Sequence, residues 1–166
     1  MQNLAWKLIA YIVSRPLVYT WLIDRAQRTP YLHLEGYMNR WWLFNPYDGA
    51  HRKPWCWLPS IRIHHILRAD LDRHFHDHPW DARTIILYGA YMEERLFSFN
   101  GPLYLVKTHT RNPGDTATLK YGEHHRIEHV SIGGVWTLFI TWKYQGPWGY
   151  LVDGVKVPHH LYRPQP

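Results

Sequence analysis

Apolar residues fall into two regimes along this chain. Between Asn3 and Arg28 they crowd into the stretches Leu8 to Val13 and Leu17 to Ile23, interrupted or flanked by Lys7, Arg15, Pro16, Asp24 and Arg25. The pattern predicts one or two amphipathic helices over residues 3–28, broken or kinked at Pro16, because proline lacks the amide donor that a helix interior needs. After Thr29-Pro30 the spacing shortens. Alternating, aromatic-rich runs are separated by turn-forming residues, which predicts strands. The expected strands are Tyr31 to Phe44, Ile61 to Leu67, Arg73 to His78, Thr84 to Met92, Leu103 to Thr110, Thr116 to Lys120, Arg126 to Ser131 and Val135 to Tyr144. Turns are expected at Asn45-Pro46-Tyr47-Asp48-Gly49, Asn100-Gly101-Pro102, Asn112-Pro113-Gly114-Asp115, Gly133-Gly134 and Gly146-Pro147. His51 to Pro59 reads as an irregular Trp-rich connection, and the tail from Tyr150 as short strand and coil. Strand alternation puts Ile61 and Ile63 on one face, Arg62 and His64 on the other. Short strands at close spacing predict a mainly β sandwich or barrel. The expected organisation is a helical segment over residues 1–29, packed on a β-barrel domain over 30–166.

Composition sharpens this picture. With 166 residues, 46% of them hydrophobic and 19% charged, the chain suits one globular domain and excludes a disordered one. Ten Trp among 16% aromatics suit a ring-lined pocket. Neither N-terminal apolar stretch approaches the ~20 residues that span a bilayer, and no secretory cleavage pattern is present. Packing of the helices on the β domain is therefore expected ahead of membrane-surface association, which Trp6, Trp21 and the arginines would suit. The single cysteine, Cys56, allows no intrachain disulfide, pointing to a reducing, cytoplasmic compartment. Flanked by Trp55 and Trp57, it reads as a buried small hydrophobe. The net charge of +6 is scattered, with no basic run, so nucleic acid is not the indicated partner.

The chemistry concentrates in Arg73-His74-Phe75-His76-Asp77-His78-Pro79-Trp80-Asp81. Alternate residues of a strand face the same way, so three imidazoles at period two can converge on one space. Imidazole is the commonest side-chain ligand of Zn, Fe, Mn, Ni and Cu. A further ligand from His124 or His125 would complete a metal site. The adjacent pairs His64-His65 and His159-His160 diverge in a strand and make poor ligand pairs.

The spacing resembles that of the cupins, small jelly-roll barrels built as a double-stranded β-helix. Their first motif is His-x-His, three or four residues, Glu, six residues and Gly. Here His76-Asp77-His78 is followed by Pro79, Trp80 and Asp81, then Ala82 in place of Glu, then Gly89. The second motif, Pro-x-Gly, two residues, His, three residues and Asn, corresponds here to Lys120-Tyr121-Gly122, His125 and, in place of Asn, His129, a further ligand or a structural residue, with Gly114-Asp115 upstream. The similarity covers Ile61 to Tyr144 and extends to cupin-like proteins of bacteriophages and prophages; a phage-encoded protein would act in the cytoplasm of its bacterial host. The resemblance implies a metal held inside the barrel by His76, His78 and His125, with His124 pointing out. Asp81 is a substitute for the missing Glu, and also fits a register in which His74 and His76 form the first pair. His74 is otherwise an alternative ligand or an orienting partner. The cofactor implied is a divalent transition metal, Fe(II) first, with Mn, Ni and Zn compatible.

The function implied is a non-haem metal-dependent enzyme of dioxygenase type, acting on a small, anionic substrate. The alternatives are a non-catalytic cupin that binds a small ligand or a host protein, and a metal-free relative of the sugar-nucleotide epimerases. A homodimer paired through edge strands is implied by the same resemblance. The 2-oxoglutarate oxygenases do not fit, because no His-x-Asp occurs. Arg62, Arg73, Arg83 and Arg126 lie in or beside the motif strands and would favour a carboxylate or phosphate if they faced inward. Arg83, beside the motif, and Glu93, an acid or base at the barrel mouth, are the candidate catalytic groups.

Overall fold

The computed structural model describes residues 2–29, 31–48, 53–99 and 103–163. Two helices come first, α1 (Gln2–Val13) and α2 (Pro16–Ala26). The break falls where proline requires it: Arg15 is extended, and Pro16 lies in the first turn of α2, where an amide donor is not needed. Ten strands follow among the described residues: β1 (Met38–Phe44), β2 (Ser60–Ile66), β3 (Trp80–Tyr88), β4 (Tyr91–Phe99), β5 (Leu103–Arg111), β6 (Thr116–Leu119), β7 (His125–Val130), β8 (Val135–Tyr144), β9 (Gly149–Val152) and β10 (Val155–Pro158).

Two antiparallel layers result. One sheet has the order β1-β2-β8-β3-β6, the other β5-β4-β7, and β9 pairs with β10 as a hairpin. The β9–β10 hairpin joins the second sheet through the short segment Phe75–Asp77, whose central residue, His76, bridges β7 at His125 and β9 at Tyr150.

Several expectations shift. The run Arg73 to His78 is not a strand; its backbone touches the sheet mainly at Phe75, His76 and Asp77, wedged between β7 and β9. The expected strand Tyr31 to Phe44 starts only at Met38, because Gly36 (φ +67°) turns the chain and Leu34 pairs back onto Met38. The expected strand Thr84 to Met92 is two strands in different sheets. Gly89 makes the corner with φ +74°, and a Cβ there would stand 2.4 Å from the Gly134 carbonyl oxygen. Cys56 is exposed, because its loop runs outside the sheets. The expected turn Asn100-Gly101-Pro102 lies outside the described residues, as do Pro30, Gly49, His51 and Arg52.

The largest buried apolar cluster lies outside the barrel. Ala10, Leu22 and Ala26 of the helices pack on Trp41, Ile63, Ile85, Leu87, Leu138 and Ile140 of the five-stranded sheet. Each large aliphatic side chain so buried contributes about 1.5–3 kcal/mol. Between the sheets, Ile66, Ile86, Tyr91, Ile127 and Val135 form one apolar cluster, and Ala82, Leu119 and Phe139 another. The remaining interior is a cavity of ≈ 890 Å³ walled by both sheets. On β2 the alternation resolves as Ile63 toward the helices and Arg62 and His64 toward the cavity. No helix among the described residues is long and apolar enough to cross a membrane.

Candidate metal centre

His76 and His125 exchange two backbone hydrogen bonds: His76 N donates to His125 O at 3.0 Å, and His125 N donates to His76 O at 2.8 Å. Such a pair sets two residues side by side, with side chains leaving the same face. His78 follows two residues on and emerges on that face too. The three rings meet in the cavity, with centroids 4.8 Å (His76–His125), 5.0 Å (His78–His125) and 5.4 Å (His76–His78) apart. One ligating nitrogen from each lies within 4.8 Å of the others. His78 Nε2 and His125 Nε2 are 2.9 Å apart. Nitrogens bound to one ion at ~2.0–2.1 Å stand roughly 3–3.5 Å from each other, so small ring movements suffice.

Asp77, between the two histidines, faces the other way. Fully buried, its carboxylate accepts from Gly149 N at 2.8 Å and from Lys156 Nζ at 2.5 Å. This fastens the β9–β10 hairpin behind the histidine segment.

Carboxylates stand behind two of the rings. Glu93 Oε2 lies 3.5 Å from His125 Nδ1, and Asp70 Oδ2 lies 3.8 Å from His76 Nδ1. Acids at these positions orient an imidazole and raise its basicity toward an ion on the opposite nitrogen. Both acids are themselves held. Arg111 Nε donates to Glu93 Oε1 at 2.6 Å, and Arg95 Nη2 is 3.0 Å from the same oxygen. Tyr37 and the Ile127 amide donate to Asp70. Burial alone would raise the Glu93 carboxyl, yet the His125 ring beside it and the Arg95 and Arg111 charges pull it down to about 2. Burial, with His125 beside it, pushes His76 down to about 4, against the pull of Asp70 and Asp77. Burial first, then His125 and His76, takes His78 well below the usual histidine range. These two rings are thus neutral near pH 7, with lone pairs free for a cation. The donor set fits a divalent transition metal.

The remaining expected residues lie elsewhere. His74 leaves the group: its Nδ1 is 3.0 Å from the Tyr162 hydroxyl, because without a ladder at residue 74 the strand alternation does not extend to it. Asp81 is at the surface, accepting from Tyr121 N at 3.0 Å and Lys120 Nζ at 3.1 Å. Those partners, the Tyr121 amide first, lower its carboxyl. Ala82 packs with Leu119 and Phe139, so no carboxylate enters the ring of donors from this strand. Arg83 shares the helix-covered face with Ile85 and Leu87, its guanidinium 4.6 Å from the Trp6 ring and bonded to Thr116 Oγ1 at 3.1 Å. Glu93 is not at a mouth but fully buried behind His125, and its ionised state suits an acceptor that holds that ring rather than an acid. Asp70, His64 and Trp148 also line the cavity. Alternation on β2 signalled His64, whereas Asp70 sits in an irregular segment with no periodic signal.

No family model matches the sequence, and no curated protein matches it. Solved structures do match in shape. Oxalate decarboxylase from Bacillus subtilis at pH 4.6 is 14% identical with a TM-score of 0.54, over 76% of this chain and 31% of that one. A variant of that enzyme gives 13% and 0.53, over 73% and 29%. Vicilin from Corylus avellana (hazelnut) gives 9% and 0.55, over 74% and 34%. The chain thus spans about a third of the length of these proteins. What it shares with them is the fold: a mainly β, antiparallel jelly roll of the cupin type.

Proposed function

We propose that the protein is a metal-binding cupin and a non-haem metal-dependent enzyme of dioxygenase type, with Fe(II) as the first candidate and Mn, Ni or Zn compatible with the same ligands. The observation that carries this reading is the convergence of His76, His78 and His125 on one point of a ≈ 890 Å³ cavity. That volume is typical of sites for small molecules. A bound ion of this kind supplies Lewis acidity and, if redox-active, electrons for dioxygen chemistry. The chain's own residues do the rest. The three imidazoles would hold the ion. Glu93 and Asp70 keep two of those rings in place. Trp80, Phe139, Trp148 and Tyr150 wall the chamber and displace water from the substrate's path.

The test is elemental analysis of protein purified without an affinity tag, followed by loading with each metal. About one equivalent is expected in the wild type and a loss in His78→Ala and His125→Ala. Wild type that neither carries nor takes up a transition metal would refute the proposal. One observation favours a second reading, a non-catalytic binding module: the donors are three histidines with no carboxylate, Ala82 standing where the acid would be. Oxygen uptake by the loaded protein against thiols and carboxylates separates the two. A homodimer belongs to the same proposal, and the edge strand β5, with Tyr104, Leu105 and Val106 exposed, is its candidate seam. Light scattering after size exclusion reports it.

A further inference from the structure

The geometry points to a carboxylate-binding subsite built on Arg62, facing the same cavity as the three imidazoles. The inference rests on reading that cavity as a substrate chamber, and names the class of substrate it takes.

Arg62 is only 2% exposed, on β2 between β1 and β8. A charge at that depth normally has an opposite charge beside it. Arg62 has none among the described residues: the carboxylates on the cavity wall, Glu35, Asp70 and Asp72, make no ion pair with it. Its immediate surroundings are rings. The guanidinium carbon lies 4.9 Å from Trp80, 5.2 Å from Phe139, 5.4 Å from Trp42, 5.5 Å from Tyr47 and 5.9 Å from Tyr31. Aromatic faces stabilise the charge, and the Tyr31 and Tyr47 hydroxyls lie within reach of the guanidinium, but neither group neutralises it. Arg62 Nε and Nη2 are buried with no hydrogen-bond partner. Those two nitrogens form one edge of the planar fork, the edge that matches the two oxygens of a carboxylate.

A second residue on this face also has a buried polar atom without a partner. His64, on the same face of β2 and 7% exposed, stacks on Phe139 at 4.9 Å and leaves Nε2 unbonded. Both orphaned groups belong to residues that line the cavity. The path from them to the imidazoles is short. Trp80 packs on Arg62 and also stacks on His78, at 5.9 Å and 15°. Phe139 lies 5.8 Å from His78. An acid gripped by Arg62 therefore extends along these two rings toward His78, which sets the reactive end of a short carboxylic acid beside the three histidines.

Malonate is the probe, with malonamide as its uncharged counterpart. Metal is stripped with a chelator and the chelator removed by dialysis, so that no ion contributes its own affinity for acids. Calorimetric titration of the full-length protein is expected to show saturable binding of malonate and at least about tenfold weaker binding of malonamide, the loss typical of removing a charged hydrogen-bond partner. Arg62→Met should weaken malonate binding by at least about the same factor and still take up metal like the wild type. Should that variant fail to fold, the wild type serves alone: malonate should protect Arg62 from phenylglyoxal, read by mass spectrometry of the peptide that contains it. Equal affinity for the two probes, unchanged binding by Arg62→Met, or Arg62 modified at the same rate with and without malonate would overturn the subsite. Malonate binding that needs Arg62 in a protein that never takes up metal would uphold the subsite and refute the metal centre instead.

Discussion

Replacing Glu93 by Gln removes one charge from the most heavily tied acid of the interior. The side chain keeps its shape, but Arg95 and Arg111 lose their shared counter-ion and His125 loses a charged acceptor. The magnitude follows from the carboxyl's own titration. Its fall from 4.5 to about 2 is worth about 3 kcal/mol, each pH unit being worth ~1.36 kcal/mol. The cost of breaking a buried pair from one side, about 3–5 kcal/mol, agrees. In a domain of this size about 1 kcal/mol moves the melting midpoint by roughly 2–4 °C, so a fall of roughly 6–12 °C is expected at pH 7. The sign has a pH signature. A carboxyl held below its unfolded value stabilises fully above pH ~4.5, and that contribution drains away as pH falls toward 2. The stability difference between wild type and Glu93→Gln should accordingly shrink between pH 4.5 and 2. Metal affinity should drop by about 10–100-fold through the loosened His125 ring. Differential scanning calorimetry across pH and a competitive chelator titration measure both. A variant that melts within a degree of wild type at pH 7 and holds metal equally well would show that Glu93 neither anchors this interior nor orients His125.

Other expectations are simpler. The metal-free protein should lose stability as pH falls from 6.5 to about 4, because protons that unfolded histidines accept are refused by buried His76 and His78; urea titrations at fixed pH report it, and a flat profile would contradict the burial of those rings. His74→Ala and Asp81→Asn should retain the full metal content of the wild type, since neither side chain joins the three-histidine group; loss of the ion in either would reopen the ligand assignment. Gly89→Ala should cost more than about 1 kcal/mol, because φ is +74° and the new methyl meets the Gly134 carbonyl at 2.4 Å; an unchanged denaturation midpoint would rule out the corner as described.

Much of this architecture was readable from local pattern. Pro16 marked the helix break, and period-two alternation on β2 put Ile63 and Arg62 on opposite faces. What alternation did not reveal is which face is inside. The apolar face of β2 turns outward under α1 and α2, while the polar face lines the chamber, an inversion that only the helices' own need for burial explains. The spacing His76, His78 and His125 carried the expected grouping because two of the three lie on one extended segment and the third faces it across a single bridge. His74 and Asp81 defeated the same logic, since backbone pairing ends before one and a surface lysine captures the other. Gly89 lay in a run that reads as continuous strand; its corner depends on contact with Gly134, distant in sequence.

His76 has two jobs that no other described residue combines. Its ring is one of the three that converge, and it sits at the centre of the Phe75–Asp77 segment that ties β7 to the terminal hairpin, its own backbone bonded to His125 and its two neighbours bonded to Leu151 and Gly149. Occupancy and closure of this wall therefore share one free energy: an ion present at a hundred times its dissociation constant would add about 2.7 kcal/mol to keeping the seam zipped. Amide exchange along Gly149–Val152 becomes a gauge of whether the chamber is filled, slow when it is and fast when it is not.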